Sequence, residues 1–420
     1  MRLTNLFSKT SKTSPSDETS RNARLLIQAG YIHKEMAGVY DYLPLGKIVI
    51  DKIANIVREE MNAIGGQEIG MSALQGKELW EKSGRWDDKV VDAWFKSKLA
   101  NGSEVGLGWS HEEPITNMLI SYIQSYKDLP VYVYQIQTKF RNELRAKSGL
   151  MRGRELLMKD MYSFSKDKDE HEKFYETATN AYLKVYKRLG VGDITYKTFA
   201  SGGIFTKYSH EFQTLSEVGE DTIYVDKAKK LGINKEVFND EVLAHLGVNK
   251  EHLKKERAVE VGNIFTLGSR YSDALGLRYT DKDGASRQIL MGCYGIGISR
   301  LMGLLAEHFA DDKGLVWPIN IAPAIIIIAR LGEENETTKL ADEMYNHLTM
   351  MGVSVIYDDR DVRAGQKLTD SELLGIPYTV VVSEKTVKNK KFEVRNRKNS
   401  DTKNMSKDEL LKMVASLTTN

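Results

Sequence analysis

The stretch VYVYQIQTKFRNE (131–143), followed after a short polar connection by RELLMKDMYSFS (154–165), decides the fold. Both segments are rich in the β-branched and aromatic residues that suit a pleated surface, so the pair predicts two long antiparallel strands. The connection is basic: between 141 and 154 the chain carries Arg141, Arg145, Lys147, Arg152 and Arg154 against a single acid, Glu143. Side chains alternate along a strand with period two, which would set Arg141 and Glu143 on one face. A guanidinium can clamp a phosphate or carboxylate with two parallel hydrogen bonds, and a carboxylate can accept one from an exocyclic amine such as that of adenine. Taken alone, the pair reads as a surface cross-strand charge pair, and the basic connection as a solvated turn.

Upstream, a first short helix is expected from near Pro15 to Gly30. From Pro44, apolar residues at Val49, Ile53, Ile56, Val57, Met61 and Ile64 recur with a helical period, and Gly65 and Gly66 close the helix. In SHEE (110–113), Ser110 and Glu113 match a capping box, which leaves Glu112 free to bind an ammonium group at a helix start. His111 has no metal-ligand spacing around it. A further helix is expected from Asp167, its N-cap, to about Leu189. Residues 227–258 are rich in Lys and Glu with weak helical patterning and read as a small surface insertion. Short strands near 261–268 and 286–293 lead into GIGISRLMGLLAEHF, a glycine turn and an apolar helix. GIGISR completes neither a dinucleotide fingerprint nor a phosphate loop, but it places Arg300 in a first helical turn, where it can reach an anion or a base. After Trp317 and Pro318 the pattern alternates strand, helix, strand, helix, strand, strand, helix, which predicts a separate small α/β domain.

At 420 residues, 41% hydrophobic and 28% charged, the chain suits two or three soluble globular domains, and no apolar run approaches the ~18 residues that span a bilayer. Its one cysteine, Cys293, excludes an internal disulfide and a paired-thiolate zinc site and fits a reducing compartment. The run SKTSKTSPSDETS (8–20) has the Ser, Thr and Lys of a transit peptide, but Asp17 and Glu18 argue against one.

Together these segments resemble the three signature motifs of the class II aminoacyl-tRNA synthetases: the helix from Pro44 and the strand after it, then FRNE with its basic loop and Arg152, then GIGISR. Further strings, among them GVYDYLPLG, ELWEKSGRW, SHEEPIT, LMKDMYSF, SHEFQ, MGCYGIGISR and ELLGIP, are similar to the bacterial prolyl-tRNA synthetases over nearly the whole chain. The resemblance implies an α+β catalytic domain on a mixed, largely antiparallel sheet (1–322), with 227–258 in place of a large editing domain, then a small α/β anticodon-binding domain (323–420).

It also implies roles. Arg141 and Arg300 would carry the catalysis, with Arg141 on the α-phosphate and the prolyl carboxyl. ATP would be held by Arg141, Glu143, Arg152, Gln213, Gly297 and Arg300, and proline by Ser110, Glu112, Arg141, Phe164, His210 and Cys293. Arg145 and Lys147 would meet the tRNA acceptor end, and Asp359, Arg360, Lys367 and Glu372 the anticodon stem. Mg²⁺ would bridge phosphate oxygens without a protein-only cage. The implied partners are proline and tRNA(Pro), and the implied state is a cytoplasmic homodimer with no membrane association. The chain departs from the family pattern at Ser72, where a proline is usual after motif 1, at Leu156, where an aromatic usually meets adenine, at Ser110, usually threonine, and in the missing editing insertion. The rival readings are a sister enzyme for another amino acid such as threonine and an inactive paralogue that binds tRNA.

Overall fold

The computed structural model describes residues 1–144, 146, 148–332 and 334–418, in two units: 37–39 with 53–301, and 1–36 with 40–52 and 302–420.

The first unit is built on nine strands: β1 (Gln67–Glu68), β2 (Val131–Phe140), β3 (Glu155–Ser165), β4 (Thr195–Ser201), β5 (Tyr208–Leu215), β6 (Asp221–Asp226), β7 (Leu231–Asn234), β8 (Lys254–Gly268) and β9 (Leu290–Gly297). Their order across the sheet is β5, β4, β7, β6, β8, β9, β3, β2, β1. Pairing is antiparallel except between β1 and β2 and between β7 and β4. The opening pair forms as expected, with Val131 opposite Phe164 and Phe140 opposite Glu155. Strand β2 ends at Phe140, so Arg141 and Glu143 lie just beyond it rather than on one strand face.

Helix Lys168–Arg188 starts at Asp167, whose side chain accepts from the Glu170 amide at 2.9 Å. It buries Phe174, Ala178, Ala181, Tyr182 and Val185, the three-and-four spacing of a one-sided helix. Phe174 stacks on Tyr132 of β2 at 3.6 Å between ring centres. A fully buried side chain of this size contributes about 1.5–3 kcal/mol, so this row fastens the helix to the sheet.

Residues 227–258 are more than a surface insertion. Strand β7 pairs with both β6 and β4, and β8, a single strand of 15 residues, pairs with both β6 and β5. The strands β5, β4, β7, β6 and β8 therefore close into a ring. Val237, Val242, Leu243 and Val248 of this stretch bury themselves with Phe199 and Ile233. Strand β9 begins at Leu290, and residues 286–288 belong to a separate hairpin with 278–280.

Two smaller expectations shift. Helix Arg21–Gln28 starts after Ser20 rather than near Pro15, and it ends before Gly30, whose φ of +71° is the left-handed conformation glycine tolerates. Helix Glu112–Leu119 has His111 as N-cap, and no side chain caps it: the capping box does not form because Glu113 turns to Arg85 and Ser83 instead.

The second unit carries a five-stranded sheet of β10 (Ile326–Arg330), β11 (Val355–Asp358), β12 (Tyr378–Val382), β13 (Phe392–Asn396) and β14 (Thr402–Met405), ordered β11, β10, β12, β13, β14. The first three are parallel, and helices Asn335–Met350 and Ala364–Leu374 form the crossovers. One short helix, Glu384–Asn389, and one strand beyond the four expected add to the alternation. Ile326, Ile328, Met344, Val380, Leu410 and Val414 form its core.

Candidate active site

The first unit holds a cleft with two lobes. One, of about 680 Å³, is walled by Arg141, Glu143, Met151, Arg152, Glu220, Asp221, Val259, Glu260 and Arg300, with Val218 and Ala258. The other, of about 570 Å³, is walled by Ser110, Glu112, Lys139, Met158, Asp160, Tyr162, Phe205, Asn263 and Cys293, with Gly262, Gly295 and Gly297 among its lining. Arg141, Glu260 and Arg300 line both, so the lobes meet at two guanidiniums and a carboxylate.

Each junction residue is set by its element. Arg141 follows β2 directly, and its amide donates to the Arg154 carbonyl. Its Nε is buried without a hydrogen-bond partner, and its guanidinium lies 5.6 Å from the Trp109 ring centre. Burial lowers the pKa of Arg141, and the Arg300 charge lowers it further; an arginine stays protonated regardless. Arg300 stands in the first turn of helix Ile298–His308 and donates through Nη1 to the Glu260 carboxylate (2.9 Å) and through Nε to the Met151 carbonyl (2.9 Å). The Leu157 amide donates to Ser299 Oγ at 2.7 Å and stitches that helix start to β3.

In the larger lobe, Arg152 donates to Glu143 (2.9 Å) and to Glu220 (3.1 Å). Leu156, expected against adenine, is buried and lines neither lobe; Met151, Val218 and Val259 supply the apolar wall. Gln213 lines neither lobe. It stands behind the wall, donating to Asp221 (2.7 Å) and Glu211 (2.9 Å), with its Oε1 buried and unpartnered.

In the smaller lobe, Glu112 is fully buried; it accepts from Arg85 (3.0 Å) and from the Cys293 thiol (3.2 Å), with a further hydrogen bond from Ser110. Burial opposes its ionisation, but Arg85 and these hydrogen bonds hold its carboxyl below the usual range. Burial pushes the Cys293 thiol well up, and Glu112 adds to the effect, so the thiol stays protonated and donates. Lys139 and Asp160 pair at 2.8 Å, and Tyr162 Oη donates to Asp160 at 2.9 Å. Lys139 also lies 2.9 Å from His111 Nδ1, while His111 Nε2 meets the Ser72 carbonyl at 3.0 Å.

Phe164 and His210 are not brought to either lobe. Met158, Asp160 and Tyr162 share a face of β3 by alternation, but Phe164, next in that row, is buried in a cluster with Ile115, Leu119 and Met291. His210 Nδ1 meets Tyr175 Oη at 2.7 Å, and burial, aided by Lys197, pushes its pKa down to about 4. Arg145 and Lys147 lie outside the described residues. In the second unit the four expected anticodon residues are all engaged internally. Arg360 is held by Asp358 (2.7 Å) and Asp370 (2.9 Å), and the buried Lys367 donates to the Arg330 carbonyl (2.7 Å). Asp359 accepts from Thr4 and Arg2, and Glu372 pairs with Lys313.

Arg85, Lys139, Asp160 and Glu260 are site residues that the sequence motifs do not single out. Lys139 stands on β2 two residues before Arg141, a spacing that points to it; Arg85 carries no local signal.

Residues 95–309 match the tRNA synthetase class II core domain (G, H, P, S and T), and residues 324–417 match an anticodon binding domain. With this sheet and this charged two-lobed cleft, they define a class II aminoacyl-tRNA synthetase. The chain is 39% identical, over 99% of its length and 100% of the other's, to a proline–tRNA ligase of Anaplasma phagocytophilum (strain HZ). It is 36% identical, over 96% of its length and 97% of the other's, to one of Agrobacterium fabrum. The chain belongs to the proline–tRNA ligase family, enzymes that join proline to tRNA. The fold is also that of a prolyl-tRNA synthetase from Cryptosporidium parvum solved with halofuginone and AMPPNP (TM-score 0.78, 17% identity, 94% of this chain and 76% of that one).

Proposed function

We propose that the enzyme works in two steps: the proline carboxylate attacks the α-phosphorus of ATP to give prolyl-adenylate and pyrophosphate, and the terminal ribose hydroxyl of tRNA(Pro) then takes the prolyl group and releases AMP. The observation that carries this reading is the junction of the two lobes at Arg141, Glu260 and Arg300. A nucleotide in the larger lobe and an amino acid in the smaller would bring their reacting groups together there. The mixed composition of the walls fits that division. Arg152 and Glu143 suit the nucleotide, while Glu112, held ionised, suits the proline ammonium. The crystal structures of the Cryptosporidium parvum enzyme with AMPPNP, and with L-proline and AMP, point the same way for a protein of this fold.

Charge neutralisation and positioning carry such chemistry without a covalent enzyme intermediate. Arg141 spans both lobes and would stabilise the charge that builds on the α-phosphate; Arg300 would hold the outer phosphates and the adenine face. Among the described residues no three His, Cys, Asp or Glu side chains group to hold a metal by themselves, so Mg²⁺ would be carried chiefly by the phosphates, with a single carboxylate of the larger lobe such as Asp221 as the protein's oxygen donor. That ion would supply further charge neutralisation. Exchange of radioactive pyrophosphate into ATP, run with each of the twenty amino acids, tests the reading: exchange with proline supports it, exchange with threonine alone indicates the sister enzyme, and exchange with none indicates an inactive paralogue.

Residues 1–322 would act as the catalytic domain and 323–420 as the anticodon-binding domain of a cytoplasmic homodimer. The enzyme would also lack editing of alanyl-tRNA(Pro). Support comes from residues 227–258, which are occupied by strand pairing and core burial and of which only Ala258 lines the cleft. A pocket cannot sterically exclude a smaller amino acid, and each missing methylene gives only about 1–3 kcal/mol of discrimination. Efficient deacylation of alanyl-tRNA(Pro) by the purified chain would sink this part.

A further inference from the structure

Behind the amino-acid lobe lie three fully buried charged side chains, of which only Glu112 lines the lobe. Arg85 donates through Nη1 to Glu112 (3.0 Å) and to Glu113 (3.0 Å). Glu113 also accepts from Ser83 Oγ at 2.5 Å. The guanidinium carbon lies 4.8–5.3 Å from the ring centres of Trp80, Phe205, Trp109 and Tyr271, an aromatic box that fixes it in place. Arg85 Nε and Nη2 are buried without hydrogen-bond partners, so one nitrogen makes every polar contact of the side chain.

Two carboxylates share this one guanidinium as their ion-pair partner. Lys139, paired with Asp160, and Arg141 also act on Glu112 electrostatically from the lobe side, and neither donates a hydrogen bond to it. Burial pushes Glu113 up to about 7, with Arg85 opposing and the Glu112 charge adding to the rise. Glu112 Oε2 is bound by Arg85 and Oε1 by the Cys293 thiol, and Ser110 adds a third side-chain donor, so the carboxylate is held in one orientation at the lobe.

We propose that Arg85 is a positioning residue for amino-acid recognition: it locks Glu112 in the orientation that meets the ligand ammonium, and Glu113 behind it supplies the second negative charge that this ammonium completes. This rests on the smaller lobe being the proline site.

The test is pyrophosphate exchange by the full chain, with the KM for proline and for ATP measured separately. Absence of proline-dependent exchange in the unmutated enzyme would overturn the reading of the lobe, and this inference with it. Where exchange is present, Arg85→Met should raise the KM for proline about 10- to 100-fold, the size of a lost charged hydrogen bond, with the KM for ATP within about twofold. Arg85→Lys should recover most of that loss, since a single nitrogen makes the contacts. Glu113→Gln should raise the KM for proline about tenfold at unchanged ATP affinity. A merely structural salt bridge would give variants with lowered thermal midpoints and an unchanged KM for proline, or with both KM values raised alike; either result overturns the inference. If Arg85→Met does not fold, the isosteric Glu113→Gln decides alone, and an unchanged KM for proline refutes it.

Discussion

Replacing Arg141 with Met should cost the enzyme its activity while leaving the fold as stable as before or more so. Arg141 is the side chain that spans both lobes and carries positive charge to the place where the α-phosphate would react. Deleting a preorganised donor at such a position typically lowers kcat by ~10²–10³, with little change in KM, because the lost interaction belongs to the transition state. Stability moves the other way. The buried Nε has no partner, which costs about 1–3 kcal/mol, and Arg300 stands close enough to depress its pKa. Against that, the contact with Trp109 at 5.6 Å is worth about 0.5–1 kcal/mol. The balance is a gain of ~0–2 kcal/mol, or a thermal midpoint raised by at most about 4–8 °C for a unit of this size. Pyrophosphate exchange and thermal unfolding on the same preparation check both halves. Exchange within threefold of the unmutated enzyme, or a midpoint lowered by more than about 3 °C, would refute the reasoning, since the first denies Arg141 its place in the reaction and the second makes it a structural residue.

Asp160→Asn should destabilise the chain by about 3–5 kcal/mol in urea titration, because it strands the buried Lys139 without its anion, and adding Lys139→Met should recover part of the loss. Glu211→Gln should flatten the pH dependence of stability. Burial, aided by Glu260, raises Glu211 to about 8, so between pH 4.5 and 8 the native state holds a proton that the unfolded chain has released, and stability falls as pH rises through that window. The urea midpoint should drop less between pH 5 and pH 8 in the variant than in the unmutated enzyme, and an equal drop in both would count against the assignment. Gly262→Ala should cost about 1–3 kcal/mol in thermal or urea unfolding, since a Cβ there collides with the buried Tyr186 hydroxyl and sits 2.9 Å from the Gly295 carbonyl oxygen.

The sequence carried the elements that announce themselves locally. The two long strands show in their β-rich composition, helix Lys168–Arg188 in its Asp167 cap, and the C-terminal sheet in its alternation. What it hid depends on closure in three dimensions. Residues 227–258 read as solvated because β8 begins with Lys254, Lys255 and Glu256, all at least partly exposed, while the burial that makes the stretch structural falls on a few scattered apolar side chains. The site divides in the same way. Charge identity is legible in a sequence, but which charges are spent on one another is not. DDRD (358–361) looked like a surface offered to RNA, yet Arg360 turns back onto Asp358 and Asp370, and Lys367 caps backbone carbonyls. Nothing in ELWEKSGRW (78–86) marks Arg85 out, yet it lies in contact with two carboxylates 27 and 28 residues away. Paired charges line the cleft too, but two residues facing it carry charge that the fold only partly cancels: Arg141 with its unpartnered Nε, and Glu112 with one guanidinium shared between two carboxylates. An enzyme that must bring a negative phosphate and a positive ammonium into one cleft needs that incomplete cancellation, so the search for its working residues is a search for charges the folded chain has left unbalanced.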